Sequence, residues 1–153
     1  MNKYVIDSCS LINAAKNYNL NKKSFRNIWL AIDELIDNGL LYSTVEVLDE
    51  IKDDDLIRWC NSHKHIFLPL SKDIQEKTAE VLKECPHMIK IKSVGNSNAD
   101  PFLIATAIIE DAIIVTDEKM GDEKSLDYHI PNVCRKFGID CISLNSFLDQ
   151  ILE

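Results

Sequence analysis

The residues able to do chemistry in this sequence are carboxylates set where apolar runs stop. Asp7 follows Tyr4-Val5-Ile6, and Glu46 and Glu50 come soon after Leu40-Leu41-Tyr42-Ser43. Asp117 and Glu118 follow Thr116 at the end of another apolar run, and Asp100 stands before Pro101 and a long apolar segment. Several carboxylates gathered in one pocket repel, and without a cation some must take up protons. A hard divalent ion removes that penalty, and oxygen ligands suit Mg²⁺ or Mn²⁺. Such an ion activates a water and polarises a phosphoryl oxygen. The reaction this set supports best is metal-assisted phosphodiester hydrolysis. Singly, each acid has a plainer role: Asp7 and Asp100 as helix caps, Glu46 and Glu50 as exposed helix residues, Asp117 and Glu118 as turn acids. Joint placement carries the argument.

That placement depends on the elements around the acids. The spacing predicts a buried strand at Tyr4-Val5-Ile6 and a helix from about Ser10. Phe25, Ile28, Trp29, Ile32, Leu35 and Ile36 form one face of an amphipathic helix that closes on Asn38-Gly39. A second strand at residues 40–43 leads through Thr44, as cap, into a helix with apolar positions Val45, Val47, Leu48 and Ile51. Asp53 to Asp55 read as a solvated helix start. A third strand over 66–68 stops at Pro69, and Ser71 caps a helix to about Glu84. After a polar loop over 90–98, Asp100 caps a mostly internal helix with Pro101 at its first position. The strand over 112–115 lacks polar residues, as a parallel strand covered on both faces does. A charged loop over 119–128, a short helix from Ile130-Pro131 to Phe137-Gly138, a strand over 139–143 and a closing helix over 145–151 complete the chain. Strands alternating with helices mean an α/β fold with a parallel sheet. In such a sheet all strand C-termini share one edge, where open α/β sheets bind ligands.

With 153 residues the chain is read as one domain, residues 1–153, without a repeat or linker. A net charge of −8 argues against non-specific nucleic-acid binding through a basic face. It leaves room for a nuclease, because a cluster of metal-binding acids contributes to the deficit. No apolar run has the length of a membrane span and no basic segment leads into a secretory core, so a soluble, cytoplasmic protein is expected. The five cysteines (Cys9, Cys60, Cys85, Cys134, Cys141) lack a Cys-x-x-Cys spacing and read as reduced thiols. His63, His65, His87 and His129 are assigned surface or structural roles.

Four segments together resemble the PIN-domain nucleases. Val5-Ile6-Asp7-Ser8-Cys9-Ser10-Leu11-Ile12 resembles their opening motif, and Val47-Leu48-Asp49-Glu50-Ile51 their second, with the acid at Glu50 and Glu46 in reserve. Asp100-Pro101-Phe102-Leu103-Ile104-Ala105-Thr106-Ala107 is similar to the third. Ile114-Val115-Thr116-Asp117-Glu118 resembles the fourth, with the usual acid at Glu118 and Asp117 able to share its role. The likeness runs over essentially the whole chain and is closest to a branch of short bacterial or archaeal proteins, the DUF4411 type.

The resemblance implies a three-layer α/β/α PIN-like fold with a mostly parallel sheet of about five strands. It implies Mg²⁺- or Mn²⁺-dependent cleavage of RNA, with Asp7, Glu50, Asp100 and Glu118 as metal ligands and Asp117 beside them. Thr116, Ser8 and Glu46 would support them. It further implies the toxin of a toxin–antitoxin pair, with an antitoxin protein as partner and a homodimer as a form to expect. Lys119, Lys124 and Lys92 are candidates to meet the RNA backbone. Cys9 departs from the family's Asn or Ser, and Glu118 from its commoner Asp. Two other readings stand beside the ribonuclease: an inactive scaffold that binds protein or RNA, and a phosphatase with Asp7 as nucleophile. The phosphatase usually has a second Asp two residues on, where this chain has Cys9.

Overall fold

In a computed structural model, which describes residues 1–88, 99–121 and 129–152, the chain forms a five-stranded parallel sheet with helices packed around it, a three-layer α/β/α arrangement. The strands are β1 (Tyr4–Ile6), β2 (Leu41–Thr44), β3 (Phe67–Leu68), β4 (Ile113–Val115) and β5 (Cys141–Ile142). Their spatial order is β3-β2-β1-β4-β5. Among the described residues the α-helices are α1 (Ser8–Asn17), α2 (Arg26–Asp37), α3 (Val45–Leu48), α4 (Asp54–Ser62), α5 (Lys72–Glu84), α6 (Ala99–Glu110), α7 (Ile130–Phe137) and α8 (Leu144–Ile151). No helix among the described residues is long and apolar enough to cross a membrane.

The strand order fixes where a ligand can sit. From β1 the chain builds outward through β2 and β3, then returns to place β4 on the other side of β1. Neighbours β1 and β4 pair in register, Tyr4 with Ile113 and Ile6 with Val115. Their crossover helices leave to opposite sides, so a crevice opens beyond the strand C-termini at this switch point. Asp7 and Thr116 are the residues that follow these paired ends.

The apolar runs do what their composition requires. Val5, Ile6, Ile114 and Val115 are buried, and α6 sinks Leu103, Ile104, Ala105 and Ala107 beneath them. Helix α6 packs against α5 and lies along β1, β2 and β4. Full burial of one such aliphatic side chain contributes about 1.5–3 kcal/mol, so this layer is what holds the switch point rigid. The apolar face of α2 is spent in the same way, with Trp29, Ile32 and Ile36 buried.

Three helices enter their strands through the same turn. In α2, α6 and α7 the residues Gly39, Asp111 and Gly138 adopt positive φ of 70°, 52° and 68°. The next N–H then bonds back to the last helical turn: Leu40 to the Leu35 carbonyl at 3.0 Å, Ala112 to Ala107 at 2.9 Å, Ile139 to Cys134 at 2.8 Å. This closure satisfies carbonyls that a helix end leaves bare. It also explains why β5 is shorter than the expected 139–143 strand: Ile139 is consumed in capping α7 before pairing begins.

Other boundaries moved for identifiable reasons. The internal helix starts at Ala99, so Asp100 lies in its first turn instead of at the cap. Pro101 is tolerated there because the first turn's N–H groups have no intrahelical partner. Helix α3 ends at Leu48, and the next three N–H groups bond three residues back: Asp49 to Glu46 at 3.3 Å, Glu50 to Val47 at 3.1 Å, Ile51 to Leu48 at 3.2 Å. The tightened turn takes Glu50 off the helix face it was expected to share with Glu46. Thr44 precedes α3 but makes no cap bond, and its buried Oγ1 has no partner among the described residues. Thr44→Val, which keeps the shape and removes the unsatisfied hydroxyl, is expected to stabilise the fold by about 1 kcal/mol, as read by thermal or urea unfolding.

Candidate functional site

Asp7 is where burial and charge meet. As the cap of α1 it accepts the Ser10 N–H on Oδ1 at 2.8 Å, and its other oxygen accepts the Thr116 hydroxyl. Its backbone N–H donates to the Val115 carbonyl at 3.2 Å, stitching β1 to β4 at their common end. The side chain is only 4 % exposed. Burial pushes its carboxyl above the ordinary range; the Thr116 and Ser10 bonds oppose this, and the Glu118 charge adds to it. A cap alone does not need this, since Asn or Ser would satisfy the same N–H without a buried charge.

Glu50 reaches the same place from the β2 side. Its Oε2 accepts the Ser8 hydroxyl at 2.5 Å, which ties the second motif to the first turn of α1. Glu46 is half-buried and makes no side-chain hydrogen bond among the described residues. Of that pair, it is Glu50 that a hydrogen bond ties to the first turn of α1.

Past β4 the two adjacent acids separate in role. Asp117 has both oxygens engaged, Oδ1 by the Leu144 N–H at 2.9 Å and Oδ2 by Asn13 Nδ2 at 2.9 Å. It clasps the start of α8 to α1, with its negative charge at the positive end of α8. Glu118 commits one oxygen, Oε1, which lies 2.6 Å from His129 Nδ1 and 3.4 Å from the Ile130 N–H. Thr116 serves both neighbours: its hydroxyl donates to Asp7 and accepts the Glu118 N–H at 3.1 Å.

Cys9 is exposed on the first turn of α1, beside these acids. Its thiol is raised above the ordinary range by burial first, then by the charges of Asp7, Asp117, Glu118 and Glu50. One side chain thus lies within electrostatic reach of four of the expected acids. Asp100 is half-buried in the first turn of α6. Because α6 turns straight into β4 at Asp111, its start lies toward the strand C-termini.

The donor set is the hard-oxygen kind that Mg²⁺ or Mn²⁺ accepts, and Asp7, buried and repelled by Glu118, is a carboxylate that a cation would relieve. In that chemical sense the residues fit a divalent ion. Among the described residues no three ligand-type side chains already share one coordination shell. Hydrogen-bond donors engage an oxygen of each instead: Thr116 on Asp7, Ser8 on Glu50, His129 on Glu118.

Beside the rim, toward β5, runs a groove of about 670 Å³ whose lining includes Thr116, Glu118, Lys119, Arg135 and Asn145. Lys119 is exposed there; Lys92 and Lys124 lie outside the described residues. A cavity of about 650 Å³ at the opposite edge, lined by Tyr4, Leu40 and residues of α2, holds none of the candidate acids.

His129, assigned a surface or structural place from the sequence, stands against Glu118, a partner the sequence did not suggest. No pattern marks it: eleven residues and a change of element separate the two. The remaining histidines match expectation, His63 packing on Trp59 with Nε2 3.1 Å from Asp33, and His65 and His87 exposed. No curated protein matches the chain. The family described as Domain of unknown function (DUF4411) matches residues 4–151, which takes in every strand and every acid named above, and the chain belongs to that family.

Proposed function

We propose that the chain is a metal-dependent endoribonuclease of the PIN type, in which Asp7, Glu50, Asp100 and Glu118 hold Mg²⁺ or Mn²⁺. One observation carries the reading: a buried carboxylate, Asp7, at the switch point of the sheet, under the charge of Glu118 and joined through α1 to Glu50. When bound, such an ion supplies Lewis acidity toward the phosphodiester and a more acidic water as nucleophile. The chain's own residues hold the ligands still. The Ser10 N–H and the Thr116 hydroxyl fix the two Asp7 oxygens and Ser8 fixes one Glu50 oxygen, so each carboxylate keeps its remaining lone pairs in a set direction. The groove toward β5, with Lys119 at its side, offers the RNA backbone a route past the rim. By the same family likeness the protein is the toxin of a toxin–antitoxin pair, neutralised by an antitoxin protein, and a homodimer is the form to test for.

The test is cleavage of a labelled single-stranded RNA with Mn²⁺, with EDTA, and with Asp100→Asn. Cleavage is expected with Mn²⁺ alone, lost in EDTA and reduced about 10²-fold or more by the substitution while the fold persists; a helix-start Asn keeps the hydrogen bonding and removes the ligand charge. An inactive scaffold is favoured by one observation, that no three described ligand-type side chains yet share a coordination shell. It predicts no Mn²⁺ uptake by calorimetry and no cleavage in any metal.

A further inference from the structure

Past β4, the segment Glu118 to Gly121 is held at both ends by the start of α7, from its cap His129 to Asn132. At one end His129 Nδ1 meets Glu118 Oε1 at 2.6 Å. A carboxylate only accepts, so this nitrogen is the donor. At the other end Asn132, 6 % exposed, takes both backbone groups of Gly121: its Oδ1 accepts the N–H at 2.7 Å, and its Nδ2 donates to the carbonyl at 2.8 Å. Between them the Cδ2 side of the imidazole lies close against Gly121. A Cβ built on that residue would fall 2.2 Å from His129 Cδ2. Only a residue without a side chain leaves room for the ring.

Closing the base of a loop would need the Asn132–Gly121 pairing alone. It gives no reason for an imidazole to be pressed onto a glycine and aimed at a carboxylate on the rim. Glu118 supplies the reason. It stands where an Asp would be shorter and stiffer, and its added methylene gives it another rotor to fix before it can serve as a ligand. The geometry points to His129 as a positioning residue that fixes the Glu118 carboxylate toward the acid rim, with Gly121 and Asn132 holding the imidazole in place. This rests on the ribonuclease reading for the role of Glu118. Outer partners of metal ligands commonly change affinity or activity by about 10–100-fold when removed.

The experiment uses the full chain and three variants, His129→Ala, His129→Asn and Gly121→Ala, with Glu118→Gln as reference. Mn²⁺ affinity is measured by calorimetry, the thermal midpoint without metal, and kcat and KM on a short RNA. His129→Ala and Gly121→Ala are expected to weaken Mn²⁺ binding about tenfold and to lower kcat with KM little changed. His129→Asn, whose amide nitrogen falls near the place of Nδ1, is expected to restore most of both. A loss of thermal midpoint with unchanged Mn²⁺ affinity and kcat would reduce His129 to loop closure and overturn the inference while leaving the ribonuclease reading intact. Tighter Mn²⁺ binding in His129→Ala would overturn it as well, by making the imidazole a competitor. If Glu118→Gln itself leaves Mn²⁺ binding and cleavage unchanged, the assignment of Glu118 fails and the inference goes with it.

Discussion

Asp7→Asn is expected to abolish metal-dependent RNA cleavage and, at neutral pH, to raise the melting temperature. The first effect follows from removing a ligand charge at the best-buried position of the rim. A metal's stabilisation of transition-state charge is worth several kcal/mol, or about 10³-fold in rate. The second follows from the state of that carboxylate. Burial and the Glu118 charge raise its proton affinity above the ordinary value of 3.8. A group raised in the folded state contributes its stability when protonated, fully below pH 3.8, and loses it as pH climbs through the folded-state value. At neutral pH, well above the unfolded value, that raised proton affinity is a cost to the native state that the unfolded chain does not share. Asparagine removes that cost yet still accepts the Ser10 N–H, and its amide can donate to the Thr116 hydroxyl. A gain of about 1 kcal/mol, or about 2–4 °C, is expected at pH 7.5 and should vanish toward pH 3.5. Mn²⁺ should reverse the order: the wild type gains from the ion by mass action and the variant much less. A variant that melts lower than the wild type at every pH, or that still cleaves, would remove Asp7 from the centre of the site.

The same residue shows what the sequence could and could not disclose. That Asp7 ends a buried strand was legible because Tyr4-Val5-Ile6 has no polar member and the helix after it starts at once. The five strands, their parallel sense and the edge that gathers the acids followed from alternation alone. Strand order was not legible, since local patterns do not say whether β4 pairs with β1 or with β3; long-range packing of α6 decides it. Spacing alone did not separate Glu46 from Glu50, four apart on one expected helix; the motif likeness put the acid at Glu50 with Glu46 in reserve. The chain tightens after Leu48, and a change in hydrogen-bond step of one residue is not written in residue types. His129 was invisible for a different reason. Its partner is fixed by where α7 docks, and no spacing rule reaches across a change of element.

Asp117 and Glu118 are adjacent and chemically alike, yet opposite results are expected from removing them. Asp117 is spent on structure: one oxygen holds the first N–H of α8 and the other holds Asn13 of α1, so α1, β4 and α8 meet on a single carboxylate. Hydrogen bonds to a charged acceptor are worth about 1.5–3 kcal/mol each, less where partly exposed. Asp117→Ala should therefore cost about 2–3 kcal/mol, a fall of about 4–12 °C in melting temperature. Asp117→Asn should be nearly silent, because it still accepts from Leu144 and Asn13 can turn its own amide to suit. Glu118 has one oxygen on His129 and the start of α7 and a second with no partner among the described residues. Glu118→Gln keeps the His129 bond and should leave melting within about 2 °C of wild type, since surface changes that spare such bonds stay near ±0.5 kcal/mol. It should nonetheless lower Mn²⁺ affinity and cut cleavage about 10²-fold or more, because an amide oxygen is a weaker, uncharged ligand. Unfolding curves and Mn²⁺ titrations on the same three variants assign the fourth acid. If Asp117→Asn loses the metal and Glu118→Gln keeps it, the ligand is Asp117, and α8 is then anchored by a residue that must also let go of it to bind the ion.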